Sequence, residues 1–151
     1  MHNAGALSAE RCVNSEGIEV TVASQVLGPF LLTSLLLPVL DTATGRVITM
    51  SSGGMYATGL TVRHLQMSER DYQGSEQYAR AKRAQVTLNE MWAQRVPAAQ
   101  VVLHAMHPGW ADTPGVEEAL PTFRKITGPL LRSVEEGADT MMWLAADGAA
   151  L

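Results

Sequence analysis

The sequence predicts an α/β protein built on a parallel sheet. Three observations carry this prediction. Two short apolar runs, residues 46–50 (RVITM) and 100–106 (QVVLHAM), are bounded by turn residues, as buried parallel strands are. Residues 75–95 lie between them and read as a strong helix, so strand, helix and strand alternate as in βαβ units. Residues 20–40 carry no charge and suit a helix packed inside a protein rather than on its surface.

Composition narrows the class. Of 151 residues 46% are apolar and 17% charged, which excludes a disordered chain. The net charge of −4 argues against a nucleic-acid partner, whose recognition needs clustered Lys and Arg. Cys12 is the single cysteine, so no internal disulfide and no thiolate zinc site is expected, and a reducing, cytoplasmic setting fits. No basic segment followed by an apolar run opens the chain, so no secretory leader is expected.

The elements follow in order. Residues 1–6 (MHNAGA) read as the tail of a strand entering a glycine-containing turn, and 8–16 as polar loop or short helix. Residues 17–39 read as helix, with Gly28 and Pro29 placed to bend it. The uncharged 20–40 stretch is long enough to cross a bilayer, but it contains Thr21, Ser24, Gln25, Pro29 and Pro38. A buried helix of a soluble protein is expected there, and no membrane span. Residues 41–45 (DTATG) are turn chemistry. After the 46–50 strand, residues 55–74 show no period and are long for a loop in a compact domain. Ser75 is the expected N-cap of the 75–95 helix, and Pro97 stops it. Residues 117–126 read as a weak helix broken at Pro121. Residues 133–146 read as a last helix whose Glu135 and Glu136 suit the positive end of its dipole. The methionines, Trp92 and Trp143 read as packing residues.

Three clusters can carry chemistry. Tyr78 and Lys82, at spacing i, i+4, share one helix face about 6 Å apart along the axis. A nearby ammonium favours the phenolate and makes tyrosine a usable acid or base. Ser51 and Ser52 stand at the carboxyl end of the first predicted strand, where ligands of open α/β sheets bind. Residues 107–113 (HPGWADT) follow the second strand, with Pro108 and Gly109 forcing a tight turn and Thr113 supplying a hydroxyl. Each has a plainer reading alone: a surface Tyr with a solvated Lys, a turn-forming Ser pair, and an ordinary strand-to-helix turn. His104 and His107 flank a strand end with no patterned carboxylate, so no metal site is expected.

Taken together and in order, these clusters resemble the short-chain dehydrogenase/reductase family, near its retinol-dehydrogenase-like branch. Asn3, Ala4 and Gly5 are similar to that family's Asn-Ala-Gly turn. Ser52 matches its serine, Tyr78 and Lys82 its Tyr-x-x-x-Lys signature, and Pro108, Gly109 and Thr113 its Pro-Gly-x-x-x-Thr segment. The resemblance spans essentially the whole chain. It implies a partial Rossmann-like, doubly wound parallel sheet, its C-terminal portion, in a single incomplete domain over 1–151. It also implies hydride exchange between NAD or NADP and a carbonyl or alcohol. Tyr78 would be the acid or base, Ser52 would hold the substrate oxygen, and Lys82 would depress the tyrosine pKa and hold ribose hydroxyls. Asn3, Ala4, Gly5, Pro108, Gly109 and Thr113 would line the cofactor side.

Two departures matter. Where many members carry a proton-relaying asparagine, this chain has Gln25, one methylene longer. The family's glycine-rich fingerprint is absent, and three upstream βαβ strands would account for roughly 90 residues. A fragment inactive alone is therefore expected, with two alternatives: a non-enzymatic remnant that pairs through helices 17–40 and 75–95, or a relative of nucleotide-sugar epimerases and dehydratases. The same two helices are the expected route to a homo-oligomer. Met55, Tyr56, Leu60, Val62, Leu65 and Met67 make the 55–74 loop apolar, so it is expected to cover a lipophilic small-molecule substrate.

Overall fold

The computed structural model describes residues 1–40 and 45–150. The turn expected at 41–45 lies outside them except for Gly45. Helix α1 spans Val20–Leu40. Strand β1 is Gly45–Met50, helix α2 Gly74–Ala93 and strand β2 Val101–Met106. Helices α3 (Pro114–Ala119), α4 (Pro121–Thr127) and α5 (Val134–Ala146) follow. The single weak helix expected over 117–126 is thus two short ones. Pro121 cannot continue a helix but suits the first position of a new one.

β1 and β2 are parallel and in register from Gly45↔Val101 to Met50↔Met106. His2 adds a parallel bridge to Thr49 on the other edge of β1, its N–H donating to Ile48 C=O at 2.7 Å. The strand tail read at residues 1–6 is therefore present as one bridged residue. Helices α1 and α2 cover one sheet face and α5 the other, which is the doubly wound arrangement. Side chains alternate accordingly. Ile48 and Met106 meet Met141 and Leu144 of α5 in one apolar cluster. Val22 and Val26 of α1 meet Ala81 and Ala84 of α2 in a second.

α1 begins three residues later than the sequence suggests. Glu19 caps it, its carboxylate accepting from Val22 N–H at 2.9 Å. Its irregularity falls over Ala23–Leu27, a π-helical turn in which Gly28 N–H donates to Ala23 C=O. Pro29 has no N–H for the next regular bond, so the change of register sits just ahead of it. The helix is not buried all round. Leu31, Leu35 and Val39 are 58, 65 and 71% exposed, because α2 and the sheet cover only the side that holds Val22, Val26 and Thr33. It is the one described helix long and apolar enough to cross a membrane.

α2 starts at Gly74, with Gln73 rather than Ser75 at its cap and no capping side chain. A Cβ at Gly74 would collide with the Ser8 carbonyl oxygen, so the N-terminal segment passes directly over the helix start. α5 opens with a capping box between Ser133 and Glu136. Trp143 is 46% exposed and Met142 59%, contrary to the packing expectation, because Met141 and Leu144 take the sheet-facing side.

Candidate active site

β1 ends beside β2, and Ser51 N–H extends the ladder by donating to Met106 C=O at 2.7 Å. The chain then turns sharply. Ser52 Oγ accepts from Gly54 N–H at 3.2 Å and caps a 3₁₀ turn over Gly53–Ala57. This fixes Ser52 at the carboxyl end of the sheet, facing the first turns of α2. There Tyr78 is half-buried and faces Ser52 across the same cavity. Burial raises the Tyr78 pKa above its ordinary value and the neighbouring Ser52 hydroxyl opposes the rise. The net shift of Tyr78 is thus upward and set by burial, whereas the sequence led to an expected depression by Lys82.

Lys82 is instead 2% exposed, with Nζ 5.7 Å from the Tyr78 ring centre. It donates to Met50 C=O at 2.7 Å and to Gln85 Oε1 at 3.1 Å. Burial lowers its pKa to about 8.

A cavity of about 350 Å3 opens in front of Ser52 and Tyr78. Gly5 and Ala6 form one wall, and Pro108, Gly109 and Thr113 another. Leu7, Trp110, Val116 and Leu120 make it largely apolar. Gly109 adopts φ +78°, and a Cβ there would press within 2.9 Å of the Arg132 side chain lying across it. Thr113 caps α3, its Oγ1 accepting from Val116 N–H at 3.3 Å. The outer wall is held by Trp110 against Phe123 (4.5 Å between ring centres) and by Arg124 on Asp112 at 2.6 Å. His107 also borders the cavity, its pKa lowered by burial and by the Arg132 charge.

The structure thus brings Ser52, Tyr78, Gly5, Ala6, Pro108, Gly109 and Thr113 together around one space. Asn3, Ala4, Gln25 and Lys82 do not line it. Gln25 is fully buried, and its Nε2 donates to Ala6 C=O at 2.8 Å, so it braces the cavity wall from behind. The 55–74 loop does not cover the cavity. Gln77 bonds Met67 N–H and Leu65 C=O, which pulls that stretch onto α2, while Tyr56 and Val62 point to solvent at 75 and 84% exposure. The sequence reading missed the apolar wall of Val116 and Leu120 and the buried Gln85 and Asn89. The latter pair was discoverable, because 78, 82, 85 and 89 share one helix face.

No family model matches the chain. Human dehydrogenase/reductase SDR family member 12 is 46% identical over 151 residues, covering 99% of this chain and 47% of that protein. The bovine protein of the same name is 42% identical over the same shares. Along almost its whole length the chain is homologous to proteins of the short-chain dehydrogenase/reductase family. Human retinol dehydrogenase 12 is 30% identical, over 96% of this chain and 46% of that protein. The chain spans about half the length of the curated relatives it matches. Solved structures share its fold. The angucycline C-6 ketoreductase LanV with bound NADP aligns with a TM-score of 0.71 at 19% identity, over 98% of this chain and 55% of that one. A glucose/ribitol dehydrogenase of the family from Brucella melitensis aligns at 0.72 and 20%, over 99% and 58%.

Proposed function

We propose that the chain supplies the catalytic half of an NAD(P)-dependent oxidoreductase that interconverts a carbonyl and an alcohol. The observation that carries this is the convergence of Ser52 and Tyr78 on a cavity whose other walls are the 5–6 and 108–113 turns. Ser52 holds the substrate oxygen, and Tyr78 gives it a proton in reduction or takes one in oxidation. With its pKa raised, the phenol is protonated at neutral pH and ready to donate. Lys82, anchored on Met50, sets a cation behind the tyrosine.

The cavity's volume and its small-residue turns at 5–6 and 108–109 fit a nicotinamide riboside end, held by Gly5, Ala6, Pro108, Gly109 and Thr113. When bound, that group supplies or accepts the hydride. The apolar wall selects a lipophilic carbonyl or alcohol.

The chain alone is expected to be inactive. Fused to the upstream half of its human relative, it should oxidise NADH or NADPH with apolar ketones or aldehydes. Tyr78→Phe should cut that rate by roughly 10²–10⁴-fold without unfolding the protein. No turnover in the fusion, or full turnover in the Phe variant, overturns the proposal.

The exposed apolar face of α1, with Met91 of α2 beside it, is the surface through which two copies pair. Sedimentation of Leu31→Glu/Leu35→Glu should shift the protein to monomer, and an unchanged profile would refute pairing there. The reading places the protein in the cytoplasm, in keeping with an exposed free Cys12, and cell fractionation checks it.

A further inference from the structure

The face of α2 that carries Tyr78 and Lys82 continues inward to Gln85 and Asn89, which are 3 and 7% exposed. Gln85 Oε1 accepts from the Lys82 ammonium at 3.1 Å. That contact settles the amide's orientation, since the reverse would set its NH2 against the ammonium, donor against donor. Gln85 Nε2 is then left buried and without a partner among the described residues. Gln85 borders a small cavity of about 20 Å3 between α1, α2 and the sheet, whose walls also present His2, Thr33, Thr49 and Asn89. These are themselves paired: His2 Nε2 lies 2.8 Å from Thr33 Oγ1, and Thr49 Oγ1 donates to Asn89 Oδ1 at 3.1 Å. Most of the lining is apolar, with Val26, Val47, Leu88 and Leu103 among it, but a space of this size accommodates one water molecule, and the unspent Gln85 donor with the His2 and Thr33 side chains offers that water polar partners.

We propose that Gln85 is a positioning residue for Lys82, and that it is held in place by one ordered water bound between its Nε2 and the His2–Thr33 pair. An ammonium on a four-carbon stem has many rotamers. The Met50 carbonyl fixes its distance from the strand, and the braced Gln85 amide fixes its direction. The functional value of this brace rests on the reading of Lys82 as part of the catalytic site, but the brace itself does not.

The test is a pH titration of the Lys82 side chain by NMR in the full chain. Tyr78 is the titratable group beside it on its own helix, and His2 of the N-terminal segment lines the small cavity that Gln85 borders. β1 offers Lys82 the Met50 carbonyl, and α1 presents no charged group to the small cavity. Gln85→Leu removes an acceptor from the ammonium and should lower the Lys82 midpoint by roughly half a unit or more, whereas Gln85→Glu should raise it. If the Leu variant does not fold, Gln85→Asn withdraws the acceptor by one methylene and should lower the midpoint in the same sense. An unmoved midpoint in a folded Leu or Asn variant overturns the positioning role. A high-resolution crystal structure should show one water within hydrogen-bond distance of Gln85 Nε2, and its absence overturns the water. Neither readout depends on hydride transfer, so each stands or falls separately from the proposed activity.

Discussion

Against one face of the sheet, α5 lays Met141 and Leu144 on Ile48 and Met106. Against the other, α2 sets Lys82, Gln85 and Asn89 beside Thr49. The two faces belong to the same pair of strands, alternate residues of which point each way. The dry face contributes cohesion through area removed from water. The polar face buries groups that cost free energy unless each finds a partner, so its geometry is dictated by bonds rather than by volume. The catalytic candidates lie on the second kind of face, where direction matters more than filling.

Mutations can break or sharpen this contrast. The largest effect is expected on the dry face. Ile48→Ala, at a side chain 2% exposed, should destabilise by ~3 kcal/mol in urea unfolding. Its strand neighbour Thr49→Val, which loses only the bond to Asn89, should cost ~1 kcal/mol. Equal losses at the two positions would erase the distinction.

Next is a pH effect on the polar face. Lys82 titrates near 8 when folded and near its ordinary 10.5 when unfolded. Between those values the unfolded chain holds more protons, so stability rises with pH across that window. From about pH 7 to about pH 9.5 the wild type should gain ~1–2 kcal/mol relative to Lys82→Met. A flat difference between the two would show that Lys82 is not desolvated.

The smallest effect is at the rim of the dry face. Arg46 donates to Leu144 C=O at 3.0 Å and to Asp147 C=O at 2.8 Å, closing the end of α5. Arg46→Met should lower stability by ~1 kcal/mol, readable as a shift in the urea midpoint.

The elements that hold the dry face were legible in the chain. The 46–50 and 100–106 runs became β1 and β2 with at most a residue's change, and the helix read over 133–146 is α5, Val134–Ala146. Local pattern suffices where burial and capping are local. Ser52, Tyr78, Pro108, Gly109 and Thr113 were readable as a site because each falls at the carboxyl end of a strand or one turn into the next helix. What escaped depends on contacts distant in sequence. Ser75 looked like a cap, but the Ser8 backbone crossing above Gly74 moved the helix start. The apolar 55–74 loop looked like a cover, but Gln77 draws its second half onto α2. The outward side of α1 looked like core because hydropathy records what a helix can bury, not what neighbours it has.

The crossing at Gly74 has a consequence for anyone diversifying this protein. In a saturation library, codon 74 should return glycine alone, because even alanine would have to displace a main-chain carbonyl. Gly59, Gly128 and Gly148 meet nothing within 4 Å and should accept a range of side chains. Sequencing the folded fraction of such a library would therefore trace, from tolerance alone, where the N-terminal segment lies across the helix that carries the tyrosine.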